Sequence, residues 1–152
     1  MIVASYDKFQ LAEALKTVGL ERDCLVYLPS ALFALGRMDG VGLGEIPEQI
    51  FDVVLDIIGP SGTLTVPASF EDYARHGTPY DTHRSDVDPG QGVFSQYVAK
   101  LPNAYRSYCP LNAVAGVGPL AEEVCHSWTG SSYGVGSAWD KLYEHDAIFL
   151  FL

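Results

Sequence analysis

Apolar runs of strand length alternate with segments of helical period along this 152-residue chain, and the alternation predicts a layered α/β fold. Two observations strengthen that expectation. Residues 24–28 (CLVYL) are continuously apolar, the pattern of a strand covered on both faces. The length suits a single domain, residues 1–152, with a core of useful size.

The elements follow in order. Asp7 to Val18 is expected to be a helix, with Leu11, Leu15 and Val18 on one stripe and Gly19 as its stop. The strand at 24–28 comes next, then a Gly-rich connection, GRMDGVGLGE, from Gly36 to Glu45. In IPEQIFDVVLDII the residues Ile50, Val53, Val54 and Ile57 keep a helical period, Pro47 suits a first turn and Gly59-Pro60 ends the helix. TLTVP, Thr63 to Pro67, is a second strand. Ser69 to Gly92 is polar and turn-rich, and a connection that long in a compact domain is expected to be functional or mobile. Short helices are expected at 94–100, 119–126 and 137–143, and a closing apolar strand at 147–152.

Composition removes several function classes. The net charge is −10, and nine scattered Lys and Arg residues cannot line a nucleic-acid groove. No run approaches the ~18 apolar residues of a membrane span. MIVASYDKFQ has no basic patch ahead of an apolar region, so a cytoplasmic location is expected. Cys24, Cys109 and Cys125 are odd in number and lack a CxxC spacing, which predicts reduced, mostly buried thiols. His76, His83, His126 and His145 form neither HExxH nor an i, i+4 couple, so no metal site is expected.

Two motif-like stretches do not carry their chemistry. GVGLGE (Gly40 to Glu45) has Glu45 where a dinucleotide fingerprint needs its third glycine, and it follows a loop instead of a strand. GPSGT around Ser61 places Gly62 one residue too early for a nucleophile elbow, and reads as a helix stop.

Four blocks in order carry more. Arg106, Ser107, Pro110, Ala115, Gly118 and Ala121 follow a pattern close to R-S-x-H-P-x-x-S-x-A-A-x-G-x-x-A, with small shifts. Gly134, Gly136, Ser137, Lys141 and Leu142 follow G-x-G-S-P-x-x-K-L ahead of an apolar strand. GPSGTLTVPAS matches G-x-x-G-T-L-x-x-P, and YLPSALFALGRMDG approaches H-S-S-L-x-x-x-G. In these blocks the chain resembles the aminoglycoside 3-N-acetyltransferase family. The resemblance implies a three-layer α/β/α sandwich with a mixed, mostly parallel sheet. It also implies acetyl-CoA as co-substrate, a small-molecule amine as acceptor (an aminoglycoside or an amino sugar) and no metal.

The departures are specific. The first histidine and second serine of H-S-S are Pro29 and Ala31, leaving Ser30. The R-S-x-H-P histidine is Cys109, and the later serine is Asn112. The family's T-x-x-H-x-x-E, which the resemblance marks as catalytic, would lie beyond Leu152, so the chain is expected to be the N-terminal part of a longer enzyme with no catalytic residue assignable in it. A non-catalytic binding or regulatory remnant of the same fold is the alternative.

Acetyl transfer to an amine needs a base near its working pH and donors for a transient oxyanion. CoA adds phosphates and a thin pantetheine arm. Arg106 and Ser107 are accordingly candidates for phosphate or pantetheine, Ser30 for CoA or the thioester, and the turn Gly134, Gly136, Ser137 for an anion at a helix start. Each has a second reading: Arg106 as partner of an acidic neighbour, Ser137 as a helix cap. Asp72, Asp81, Asp86 and Asp88 offer carboxylates to a cationic sugar, but turn residues that bond their own backbone are the favoured reading.

Overall fold

A computed structural model describes residues 5–152. The short strands β1 (Ser5–Tyr6) and β3 (Arg37–Met38) form a parallel two-stranded patch. Five others, β2 (Leu25–Tyr27), β4 (Thr63–Pro67), β5 (Tyr105–Arg106), β6 (Val114–Val117) and β7 (Ile148–Phe149), form the main sheet in the order β5-β6-β4-β2-β7. β2 pairs parallel with β4 and with β7, whereas β6 pairs antiparallel with both β4 and β5. Four strands therefore run one way and β6 alone opposes them.

Helices cover both faces. α1 (Lys8–Thr17), α2 (Ile46–Ile58) and α4 (Gly92–Ala99) pack on Val26, Leu64, Val66 and Ala115. α5 (Ala121–His126) and α6 (Ala138–Glu144) cover Leu25, Tyr27 and Val114 on the other. Alternate residues of one strand thus serve two cores, which is why the strands read as unbroken apolar runs.

Local sequence explains the boundaries. Asp7 caps α1 by accepting from the Gln10 N–H at 2.7 Å, while the Gln10 side chain accepts from the Asp7 N–H at 3.0 Å. Leu11 and Leu15 are buried as expected, but Val18 sits at the cap and is 60% exposed. The stripe ends one turn early because Gly19, at φ +101°, turns the chain away.

Three features were not anticipated. Arg37–Met38, inside the Gly-rich connection, is a strand. The long segment contains α3 (Asp72–His76) and a 3-10 turn at Pro89–Gln91. The third is the β5–β6 hairpin, whose four-residue strand VAGV is fully buried. Gly116 is needed there: a Cβ would lie 2.7 Å from the Leu64 carbonyl oxygen and 2.8 Å from Thr65 Cγ2. The closing strand is shorter than expected and lies at the sheet edge, with Phe149 and Phe151 exposed. No helix among the described residues is long and apolar enough to cross a membrane.

Candidate functional site

The carboxyl ends of β2, β4, β5 and β7 share one edge, where crevices for ligands form in α/β sheets. Ser30 leaves β2 there, and its carbonyl oxygen faces the start of α4 closely enough that a Cβ on Gly92 would approach it to 3.0 Å. The strand extension beyond β7 pairs with the backbone on either side of Ser30: Leu152 N–H donates to Pro29 at 3.0 Å and Ala31 N–H to Leu152 at 2.6 Å. The Ser30 hydroxyl is buried and has no hydrogen-bond partner within the protein.

Arg106 differs from its expected role. It is only 4% exposed, at the end of β5, and its nitrogens are spent on backbone carbonyls. Nε donates to Ala68 at 2.9 Å and Nη2 to Ala68 and, at 3.4 Å, to Asp86, while Nη1 donates to Ser85. The guanidinium also lies 5.1 Å from the centroid of the Tyr80 ring. Burial lowers its pKa, offset in part by Tyr80 and Asp86. The charge holds the long segment to the sheet, so a phosphate contact through this guanidinium is not what the geometry provides. Nor does it pair with an acidic side chain, the other expectation, since Asp86 turns its carboxylate to Lys100 at 3.2 Å.

Ser107 is likewise committed. Its hydroxyl accepts from Val114 N–H at 3.0 Å, and its carbonyl accepts from the Tyr80 hydroxyl at 2.7 Å. The Gly134–Ser137 turn is not an open anion nest. Ser137 caps α6, accepting from Asp140 N–H at 3.2 Å, and Gly136 N–H donates to the Asp140 carboxylate at 2.6 Å. A carboxylate of the chain already occupies that helix start, which disfavours phosphate there.

The turn between β5 and β6 meets the segment ahead of α6. Tyr133 donates to Asn112 Oδ1 at 2.7 Å, Trp139 Nε1 to the Asn112 carbonyl at 3.0 Å, and Cys109 Sγ lies 3.0 Å from Ser132 Oγ. Two of the four departures from the family pattern, Cys109 and Asn112, are therefore at this junction. A cleft of about 500 Å³ opens beside it, lined by Tyr73, Tyr80, Tyr108, Cys109, Trp128 and Ser132 among others. Sequence reasoning missed these rings, which come from three separate segments with no shared spacing.

The four aspartates serve their own turns or neighbours. Asp81 accepts from the backbone of His83 at 2.8 Å and Arg84 at 3.0 Å, which lowers its pKa. Asp88 accepts from Gly90 N–H at 2.8 Å, and Asp72 lies 4.0 Å from His76. Three histidines face carboxylates, His76 with Asp72, His126 with Glu122 and His145 with Glu123, all at helix surfaces. All three cysteines are free, and among the described residues no group of three or more His, Cys, Asp or Glu could hold a metal ion. A groove of about 690 Å³ between α1 and α2 interleaves Lys8, Lys16 and Arg22 with Glu21 and Asp56, and none of the residues marked by sequence borders it.

Fold and site together define a three-layer α/β/α protein whose ligand edge lies at the carboxyl ends of its parallel strands. The chain belongs to the aminoglycoside 3-N-acetyltransferase family, whose model matches residues 30–152. Aminoglycoside N(3)-acetyltransferase III from Salmonella sp is 27% identical over 147 residues, covering 86% of this chain and 50% of the relative. Aminoglycoside N(3)-acetyltransferase IX from Micromonospora chalcea is 26% identical over 156 residues, covering 91% and 53%. Among solved structures, AAC-IIIb in a binary complex with CoASH superposes with a TM-score of 0.84 at 24% identity, covering 98% of this chain and 60% of that one. The apoenzyme of AAC(3)-IVa gives 0.83 at 26% identity, covering 99% and 55%. The chain spans about half the length of the curated relatives it matches.

Proposed function

We propose that this chain is part of an acetyl-CoA-dependent N-acetyltransferase that transfers an acetyl group to an amine of an aminoglycoside or amino sugar. The observation that carries the reading is the family match over residues 30–152. It is supported by the names of the curated relatives and by the CoASH complex of a structural neighbour. A neighbour bound to sisomicin supports the acceptor class.

The proposed roles follow the geometry. Ser30, with its unpartnered hydroxyl at the carboxyl edge, donates to CoA or its thioester. Arg106, Ser107, Gly136 and Ser137 act by fixing the edge that CoA passes, through the hydrogen bonds described, and Gly134 shapes the same turn by donating its N–H to Ser131 Oγ at 3.1 Å and accepting from Ser137 N–H at 2.9 Å. No residue of this chain is assigned as the base. The remnant reading is favoured by one observation: the three histidine–carboxylate pairs all sit on helix surfaces.

Calorimetric titration of the chain with CoA tests the proposal. Binding is expected, and Ser30→Ala should weaken it by about 0.5–1.5 kcal/mol, the worth of one hydrogen bond. Absence of CoA binding by the folded chain would overturn it. Thiol release from acetyl-CoA with amino sugars then separates an active transferase from a binding remnant.

A further inference from the structure

The groove between α1 and α2 stands apart from the residues assigned above, and neither β7 nor the residues after it border it. The chain carries a net charge of −10, so two copies repel over most of their surface. This face is different. Three of the nine Lys and Arg residues line it, Lys8, Lys16 and Arg22, together with the carboxylates of Glu21 and Asp56. Lys16 reaches Glu13 at 3.1 Å, but Lys8, Arg22, Glu21 and Asp56 make no ion pair among the described residues. Phe9 stands on the same face and is 72% exposed, while Leu20, Val53 and Ile57 give the groove a buried apolar floor. A ring left in water beside an apolar floor is the kind of group that anchors an interface.

The mixture of signs selects the occupant. A polyanion would meet Glu21 and Asp56, and a polycation would meet the three basic side chains. A surface carrying both signs fits a partner carrying both. A second copy does so by symmetry, since under a two-fold axis the same face meets itself and each contact occurs twice. We propose that this face is a two-fold interface between copies of this chain. Phe9 of each copy enters the groove of the other, and Lys8 on α1 faces Asp56 on the partner's α2. Nothing in this interface depends on the acetyl-transfer reading.

Size sets the expected strength. With 10 and 13 residues, α1 and α2 are about 15 and 20 Å long. Two helices at the usual spacing of about 10 Å present roughly 400 Å², half of the roughly 800 Å² per partner in a stable complex. The dimer is therefore reversible, with a Kd in the micromolar range or weaker.

Sedimentation equilibrium of the purified chain from about 10 μM to about 1 mM tests the proposal. Every sample carries Phe151→Glu, so that pairing at the β7 edge does not contribute. A monomer–dimer equilibrium is expected, and Phe9→Glu should weaken it at least about tenfold. Lys8→Glu and Asp56→Lys should each weaken it about 5- to 30-fold, because each reversal places two pairs of like charges across the axis. Both substitutions suit their helix ends, a carboxylate at the start of α1 and an ammonium in the last turn of α2, so the fold is retained. Asp56→Lys also makes the chain less acidic, which would strengthen association governed by net charge alone. An equimolar mixture of the Lys8→Glu and Asp56→Lys chains should dimerise within about threefold of the parent, since every crossed contact is again attractive. That recovery reads the interface without relying on Phe9. A chain that stays monomeric over the whole range would overturn the proposal and leave the groove to an unlike partner. So would association unchanged by Phe9→Glu, or a mixture that associates no better than either variant alone.

Discussion

Arg106 is buried with its hydrogen bonds directed to three backbone carbonyls, and a lysine cannot reproduce that fork. Arg106→Lys should cost about 2 kcal/mol in urea denaturation, the scale of charge-assisted hydrogen bonds lost in a buried site. Amide exchange should rise across residues 69–91 in the same variant, since the guanidinium ties Ser85 and Asp86 to the sheet. Wild-type stability with an intact midpoint would show that the latch contributes nothing. Gly116 is the second decisive residue. Gly116→Ala must push β6 off β4 to relieve contacts under 3.0 Å, and a loss of about 2–3 kcal/mol is expected in the same assay.

At the level of elements, α1 depends on its reciprocal cap. Asp7→Ala removes the acceptor for Gln10 N–H and should lower stability by about 1 kcal/mol, with faster amide exchange confined to the first turn of α1. Exchange changes spread over α2 would contradict a local role. The long segment illustrates how an element can differ from its composition. Turn residues suggested mobility, yet the chain there is pinned by Arg106, by the Tyr80 hydroxyl on Ser107 and by Asp88 N–H on the Ser69 carbonyl at 2.8 Å. Val87 within it is 3% exposed. The hairpin was overlooked for a different reason: a strand of two residues and another containing two small residues carry little strand propensity, although an apolar run bounded by Asn112 and Gly118 was a usable signal.

The molecule as a whole buries groups that ionise in alkali. Burial pushes the Cys125 thiol up to about 12 from 9.0, and the Tyr27 and Tyr80 phenols up to about 12 from 10.0. Each folded pKa lies above its unfolded value, so the folded state holds more protons and this stability is present below the unfolded values. It is lost as pH rises through them toward the folded ones. Urea midpoints should therefore fall steadily from about pH 9 upward; a flat profile there would refute the burial argument. The same scale governs solubility. β7 is an edge strand flanked by exposed Phe149 and Phe151, a surface that invites strand pairing between copies. Phe151→Glu should reduce concentration-dependent light scattering without shifting the urea midpoint.

Hydrophobic period alone determined α1, α2, β2, β4 and the layered α/β class, because each of those segments buries a face whose repeat is fixed by backbone geometry. The order of residue types in four blocks was enough to place the chain in its family. What tertiary structure decided was the use to which those residues are put. Arg106 and Ser107 read as ligand groups because a sequence shows polar groups without their partners, whereas the cap at Ser137 is local and was already legible. Folding brought the carbonyls of Ala68, Ser85 and Asp86 to Arg106 and the Val114 N–H to Ser107. It left Ser30 with a buried, unpartnered hydroxyl and gathered Tyr73, Tyr108 and Trp128 from distant segments into one cleft. Partners far apart in the chain are set by how strands are ordered in a sheet, and local residue pattern does not encode that order.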